Sequence, residues 1–161
     1  MNTVYLQLGS NLGNRNLLIK RALELINNHI GKILQCSKIY ESTPWRVDGQ
    51  HKYLNQVVEL KTNLTADDIL SQIHDIEKKL GRVRVEKWGE RLIDIDIIFY
   101  NNDIIENKNL CIPHKHMHQR NFVLIPMSEI AADIVHPKYN KTVAELLVES
   151  QDIEKVSEYE T

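Results

Sequence analysis

Apolar and polar residues alternate along "TVYLQL", residues 3–8, with the two-residue period of a strand. Gly9 to Gly13 follow as a turn, and Asn14 stands where a helix wants its N-cap. The period then lengthens: Leu18, Ala22, Leu25 and Ile26 form one helical stripe that ends near Gly31. "ILQCSKIY", 33–40, reads as a second strand, "ESTPWRVDGQHK", 41–52, as a long polar loop, and "YLNQVVELKT", 53–62, as a third strand. A second helix starts at Thr65, with Asp67 and Asp68 at the positive end of its dipole. Ile69, Ile73, Ile76 and Leu80 give it a buried stripe, and Gly81 stops it. A basic loop, 82–91, leads into a strand at 92–100 and a turn, "NND", at 101–103. Residues 110–121 read as irregular and rich in His, and 122–131 as a helical pattern broken by Pro126. Residues 142–149 suit a last helix, and the acidic tail from about 150 to 161 is expected to fray. Strands interleaved with helices predict one α+β domain over 1–161, with helices packed on a mainly antiparallel sheet.

Length and charge narrow the picture. A chain of 161 residues can bury a sizeable core as a single domain. Its 20 basic and 22 acidic residues give a net charge of -2, which argues against a general nucleic-acid binder. The two cysteines, Cys36 and Cys111, lack metal-ligand spacing and read as reduced thiols of a cytoplasmic protein. The start "MNTVYLQLGSN" has no basic, apolar leader pattern, and no run approaches the ~20 apolar residues of a membrane span.

"RLIDIDIIFY", 91–100, then raises a chemical question. Alternation puts Ile93, Ile95, Ile97 and Phe99 on one face, expected to be core. Asp94 and Asp96 share the other face, roughly 7 Å apart. Two like charges there repel unless a cation sits between them. Mg²⁺ suits the pair, because it takes one or two carboxylates and completes its shell with substrate phosphates. Two such ions about 3.5–4 Å apart clamp a phosphoryl group during displacement. The plain alternative is a solvated outer face.

The flanks favour the metal reading. Arg82, Arg84, Lys87 and Arg91 precede the acids, and guanidinium forks suit phosphate oxygens. Trp88-Gly89 inside this loop gives it an indole to cover a ligand and a glycine on which to close. His114, His116 and His118 invite a zinc reading but have no second ligand cluster nearby. His114 and Arg120 serve better as further phosphate donors. "LGSNLG", 8–13, lacks the lysine and spacing of a phosphate loop and reads as a strand-to-helix turn. "STPW", 42–45, with Tyr53, Asn55 and Phe122, can form a flat slot for a planar heterocycle.

Taken in order, "LGSNLG", "YESTP", "YLNQVVEL", "IEKKLGRVR", "WGERLIDIDII" and "IPH…QRNFVLIP" resemble the 6-hydroxymethyl-7,8-dihydropterin pyrophosphokinases of folate biosynthesis, from about Val4 to Leu147. The most diagnostic stretch runs from Trp88 and Gly89 through Arg91 to Asp94 and Asp96. The resemblance implies a ferredoxin-like α/β sandwich. It implies transfer of the terminal diphosphate of ATP to a pterin hydroxymethyl group, with release of AMP. Two Mg²⁺ ions at Asp94 and Asp96 would lie between ATP and the reduced pterin, which brings Asp94 to the pterin as well. Arg82 and Arg91, on a closing loop, would bind phosphates and act in catalysis, and His114 and Arg120 would contact the polyphosphate. His74, Glu77, Arg84, Trp88, Cys111 and the backbone of Ile97 would line the nucleotide pocket. Tyr53 and Phe122 would sandwich the pterin, while Asn55, Ser42, Thr43, Pro44 and Trp45 would read its edges. Val85, Lys115, His74 and Trp45 depart from the common pattern. A monomer is expected, with a dimer as the alternative, and neither nucleic acid nor membrane as partner.

Two rivals are weaker. A nucleotidyltransferase would set its Gly-Ser turn close to the acid pair, yet Ser10 and Asp94 are far apart in sequence. An RNA-binding sheet would need a basic face with several stacking aromatics, against six Tyr, two Phe, two Trp and a negative net charge here.

Overall fold

The structure is a computed structural model that describes residues 1–44, 51–81 and 92–160. β1 (Asn2–Ser10) leads into α1 (Arg15–His29), whose N-cap Asn14 accepts the Leu17 N–H through its side chain. β2 (Lys32–Cys36) and β3 (Tyr40–Ser42) follow, then β4 (Tyr53–Thr62), α2 (Ala66–Lys79) and β5 (Asp94–Tyr100). The strand expected at 33–40 is therefore two segments, both antiparallel to β4. Ser37 holds the break to β4: its N–H reaches the Val57 carbonyl at 2.8 Å and its Oγ accepts the Val57 N–H at 3.0 Å.

With β2 and β3 counted as one interrupted strand, the order is β-α-β-β-α-β, the ferredoxin-like arrangement. With β10 (Val156–Glu158), the sheet runs β10-β3-β4-β1-β5, with β2 beside β4, and every pairing is antiparallel. α1 and α2 cover one face. There Leu6, Leu8, Ile19, Ile26, Ile69, Ile73, Ile76 and Ile95 pack together, each full burial contributing about 1.5–3 kcal/mol. The other face is covered at one end by α3 (Asn121–Ala131) and α4 (Val143–Glu149), through Tyr5, Val57, Ile98, Phe99, Val123, Leu124, Met127 and Leu146. Short ribbons β6 (Ile105–Glu106) with β7 (Cys111–Ile112) and β8 (Val135–His136) with β9 (Lys141–Thr142) complete the chain between β5 and α4.

Other sequence expectations change as well. Phe99 lies on the face opposite Ile93, Ile95 and Ile97, because a bulge in β5 resets the alternation after Ile97. Pro126 does not break α3: the helix runs through it, losing one backbone donor while its apolar face stays buried with Val123, Leu124 and Met127. The region 110–121 contains β7 and a 3₁₀ turn at Met117–Gln119. The tail does not fray: Val156–Glu158 forms β10, whose Val156, Ser157 and Glu158 oppose Ser42, Glu41 and Tyr40 of β3. The acidic composition concealed an alternation in which Asp152, Glu154 and Val156 turn inward while Ile153 and Lys155 face out.

Candidate active site

Asn55, Asp94 and Asp96, singled out in the sequence, share the sheet face on which α3 packs. Directly opposed residues of antiparallel strands share a face. One such row crosses four strands as Tyr40, Asn55, Gly9 and Asp94. Gly9 contributes no side chain, so a gap about 10 Å across at the backbone lies between Asn55 and Asp94. A Cβ at Gly9 would lie 3.5 Å from Tyr53 Cδ1 and 3.7 Å from Asn55 Oδ1. Ser42 opposes Tyr53 at one side of the gap, and Asp96 opposes Gln7 at the other.

The Asn55 amide is fixed by its neighbours. It donates to Ser42 Oγ at 2.7 Å and to the Tyr40 carbonyl at 3.3 Å, and its Oδ1 accepts from Gln7 Nε2 at 3.3 Å. Gln7, Ser42 and Asn55 are all buried, so this polar network in the sheet is rigid rather than solvated. Gln7 is a site-lining residue that sequence reading passed over. Its signal was a polar residue within an otherwise apolar strand.

Asp94 and Asp96 stand half-exposed on β5, with Ile95 buried between them on the opposite face. The strand thus buries its isoleucines on one side and presents its carboxylates on the other. The edge of β5 is held by α2: Glu77, itself buried, accepts the Ile95 N–H on Oε2 at 3.0 Å. Alternation along the edge turns the Ile97 backbone groups outward on the same side. His74 lies on the exposed side of α2 one turn before Glu77.

His114 approaches Asp96 from outside the sheet, its Nε2 4.0 Å from Asp96 Oδ2. Its backbone N–H reaches the Ile98 carbonyl at 3.1 Å, and its Nδ1 accepts the His116 N–H at 3.2 Å. Nδ1 is thus committed as an acceptor, and the neutral ring carries its proton on Nε2, toward the acids. Burial, with the nearby Arg120 and His116, pushes the His114 pKa down from 6.5 to about 4. Cys111, with a free thiol, sits on β7 just before, its Sγ 3.6 Å from the Pro113 carbonyl. Arg120 and Phe122 flank the first residue of α3, the Arg120 guanidinium carbon 5.6 Å from the Phe122 ring centre.

Thr43 and Pro44 follow directly from β3 and are half-buried. Trp45, Arg82, Arg84, Trp88 and Arg91 lie outside the described residues. Ser10 turns its side chain to the sheet face opposite Asp94, its Oγ 3.5 Å from the Leu12 carbonyl. His118, one of the three clustered histidines, packs against Tyr139 at 4.8 Å between ring centres. Among the described residues no three His, Cys, Asp or Glu side chains are grouped to hold an ion. Two carboxylates on the outward face fit a hard cation that draws the rest of its shell from phosphate oxygens and water.

A family model described as 7,8-dihydro-6-hydroxymethylpterin-pyrophosphokinase (HPPK) matches residues 5–132. The 2-amino-4-hydroxy-6-hydroxymethyldihydropteridine pyrophosphokinase of Aquifex aeolicus is 39% identical over 150 residues, 93% of this chain and 93% of that protein. The protein of the same name from Haemophilus influenzae is 38% identical over 156 residues, 94% of this chain and 95% of its own. Among solved structures, wild-type Plasmodium falciparum HPPK-DHPS with pteroate has a TM-score of 0.78 at 19% identity, over 91% of this chain and 42% of that one. A second HPPK-DHPS, in complex with substrates, gives 0.76 at 17% identity, over 91% of this chain and 43% of that one. This chain thus spans under half the length of those solved chains, and at such identity the likeness speaks to the fold. Matched by the family model along most of its length, and by curated relatives nearly end to end, the chain belongs to the 7,8-dihydro-6-hydroxymethylpterin-pyrophosphokinase family.

Proposed function

We propose that this chain moves the terminal diphosphate of ATP to the hydroxymethyl group of 6-hydroxymethyl-7,8-dihydropterin and releases AMP, as a step of folate synthesis. One observation carries the reading. The row Asn55, Gly9, Asp94 leaves a side-chain-free gap on the sheet, with an amide network at one end and two carboxylates at the other. A flat heterocycle over Gly9 meets Tyr53 and the Asn55–Ser42 network on one side, and its substituent reaches the acids on the other. Phe122, at the start of α3, supplies the second face of the ring sandwich. Thr43, Pro44 and Trp45 close the ring edge.

Asp94 and Asp96 would hold two Mg²⁺ ions, which supply charge neutralisation along the polyphosphate and bring it to the attacking oxygen. The hydroxymethyl oxygen forms a bond to the β-phosphorus, the bond from that phosphorus to the α-β bridging oxygen breaks, and AMP departs with that oxygen. The hydroxyl proton leaves to water. His114 is unsuited to take it, because its Nε2 already bears a proton and its Nδ1 is occupied by the His116 N–H. It acts instead as a neutral donor to a phosphate oxygen. Arg120, with Arg82 and Arg91 of the basic loop, offsets charge that builds up as the bond breaks. The nucleotide lies against the outer edge of β5, where Ile97 presents its backbone. On this reading Cys111 and His74, with Arg84 and Trp88 of the basic loop, would line that pocket, and Glu77 serves it by holding the strand edge. Catalysis on this reading is alignment and electrostatics.

The test is direct. The protein is incubated with ATP, Mg²⁺ and the reduced pterin alcohol, and AMP and the pterin diphosphate are quantified. Formation of both in equal amounts is expected. Release of ADP or inorganic pyrophosphate in place of AMP would overturn the reading.

A further inference from the structure

The segment after α4 ties together two elements that border the proposed slot. α3 lacks a side-chain cap of its own, since the residue at its N-cap position, Arg120, makes no capping hydrogen bond. The missing cap comes from far along the chain. Asp152 Oδ2 accepts the Asn121 N–H at 2.8 Å, and the Asp152 carbonyl accepts from Asn121 Nδ2 at 3.3 Å. A carboxylate there satisfies an orphan helix donor and meets the positive end of the helix dipole. Asn121 sits between Arg120 and Phe122, so whatever fixes its backbone fixes the departure of both side chains.

The other Asp152 oxygen, Oδ1, accepts the Glu154 N–H at 3.0 Å. The Glu154 carboxylate in turn accepts the Thr43 hydroxyl. The Thr43 N–H reaches the Lys155 carbonyl at 3.3 Å, and the next residue, Val156, begins the pairing of β10 with β3. Ser42, adjacent to Thr43, carries the hydrogen bond from Asn55. An unbroken run of contacts therefore links the start of α3, through Asp152 and Glu154, to the end of β3 and the amide network beneath the slot.

We infer that Asp152 and Glu154 are positioning residues for the pterin: a strap that sets the spacing between the Phe122 wall and the Thr43 wall. The inference rests on the proposed placement of the pterin between those walls. Both walls that the strap joins, Phe122 and Thr43, are assigned to the pterin, so its larger effect falls there, while Arg120, whose backbone it also fixes, passes at most a smaller effect to the nucleotide.

The experiment compares Asp152→Ala, Glu154→Ala and the double variant in the full chain. It measures KM and kcat for the pterin, the Kd of a nonhydrolysable ATP analogue with Mg²⁺, and the thermal midpoint. Each single variant should raise the pterin KM about tenfold, the scale of one charge-assisted hydrogen bond, and leave the analogue Kd within about twofold. The double variant should show less than the product of the two effects, because Asp152 holds the Glu154 backbone. Glu154→Gln, which keeps an acceptor for the Thr43 hydroxyl, should restore most of the loss. Unchanged pterin KM in both single variants overturns the inference. So does equal weakening of both ligands alongside a lowered midpoint, which marks a purely structural role. If Asp152→Ala fails to fold, Glu154→Ala and its Gln rescue decide the matter alone. Tyr53→Ala separates the two levels: a raised pterin KM there with none in the strap variants removes the strap, whereas no change in any of them removes the slot.

Discussion

Glu77 on α2 accepts the backbone N–H of Ile95 on β5, at 3.0 Å, midway between the two carboxylates of the strand. A buried helix side chain thereby completes the hydrogen bonding of a sheet edge just where that edge presents its acids. Glu77→Ala leaves a buried donor without its acceptor, which costs about 1–3 kcal/mol. Urea unfolding should show that loss together with lower turnover, while Glu77→Gln, still able to accept, should keep most of the stability. An Ala variant as stable as the parent would mean that water replaces the carboxylate at no cost.

Asp96 is expected to matter for chemistry and little for folding, since its side chain is 39% exposed. Asp96→Ala should keep the parent circular dichroism spectrum and thermal midpoint. Turnover should drop by at least about 100- to 1,000-fold, the scale of removing one group aimed at developing charge. Parent-like AMP production by this variant would remove the acid pair from the reaction.

Gly9→Ala separates the slot from the sheet. The added methyl makes ordinary contacts, 3.5 Å to Tyr53 and 3.7 Å to Asn55, and the backbone there is extended, so stability should hold or rise slightly. The same methyl occupies the floor on which the heterocycle is placed. One misplaced methyl in a close-fitting site is worth about 10- to 200-fold, and that loss should appear in the pterin KM with ATP binding untouched. An unaltered KM would place the ring elsewhere.

His136 reports on acid stability. Burial, with His118 and Lys138 nearby, pushes its pKa from 6.5 down to about 4, while its Nδ1 accepts the Lys138 and Tyr139 N–H groups. As pH falls the unfolded chain takes up the proton first, so acid favours unfolding. The contribution of the neutral ring is complete above about 6.5 and is lost as pH falls toward about 4. The loss is on the order of 1–3 kcal/mol. Stability measured in urea across this range should fall more steeply for the parent than for His136→Asn, whose side-chain oxygen can accept the same bonds without titrating. Equal slopes would show that the ring does not drive the dependence.

Much of this architecture follows from short-range physics. Asn14 and Thr65 cap their helices through their own side chains, and Gly81 ends its helix at φ +81°. These are bonds within a few residues, and residue type alone foretells them. Asp94 and Asp96 were legible as an outward pair because Ile93, Ile95 and Ile97 had to face the core. What escaped depends on contacts between distant segments. No local rule assigns Asp152 to the start of α3, 31 residues earlier, or pairs an acidic tail with Ser42. Gly9 looked like turn material, and only the register of three strands shows it as the empty place in a row of side chains. Pro126 looked like a stop, yet the burial of its neighbours outweighed one lost bond.

The bulge in β5 has a further consequence. The extra residue itself, Ile98, offers its carbonyl to the His114 N–H, so the histidine is seated against Asp96 by main-chain atoms. The relation between acid and imidazole is therefore written in residue count rather than in side-chain identity. Conservative exchanges at Ile95, Ile97 or Ile98 should be absorbed with modest repacking. Deleting Ile98 would restore plain alternation with Phe99 kept on its present face, yet it would remove the carbonyl that seats His114. Along this strand the protein should tolerate spelling changes far better than frame changes.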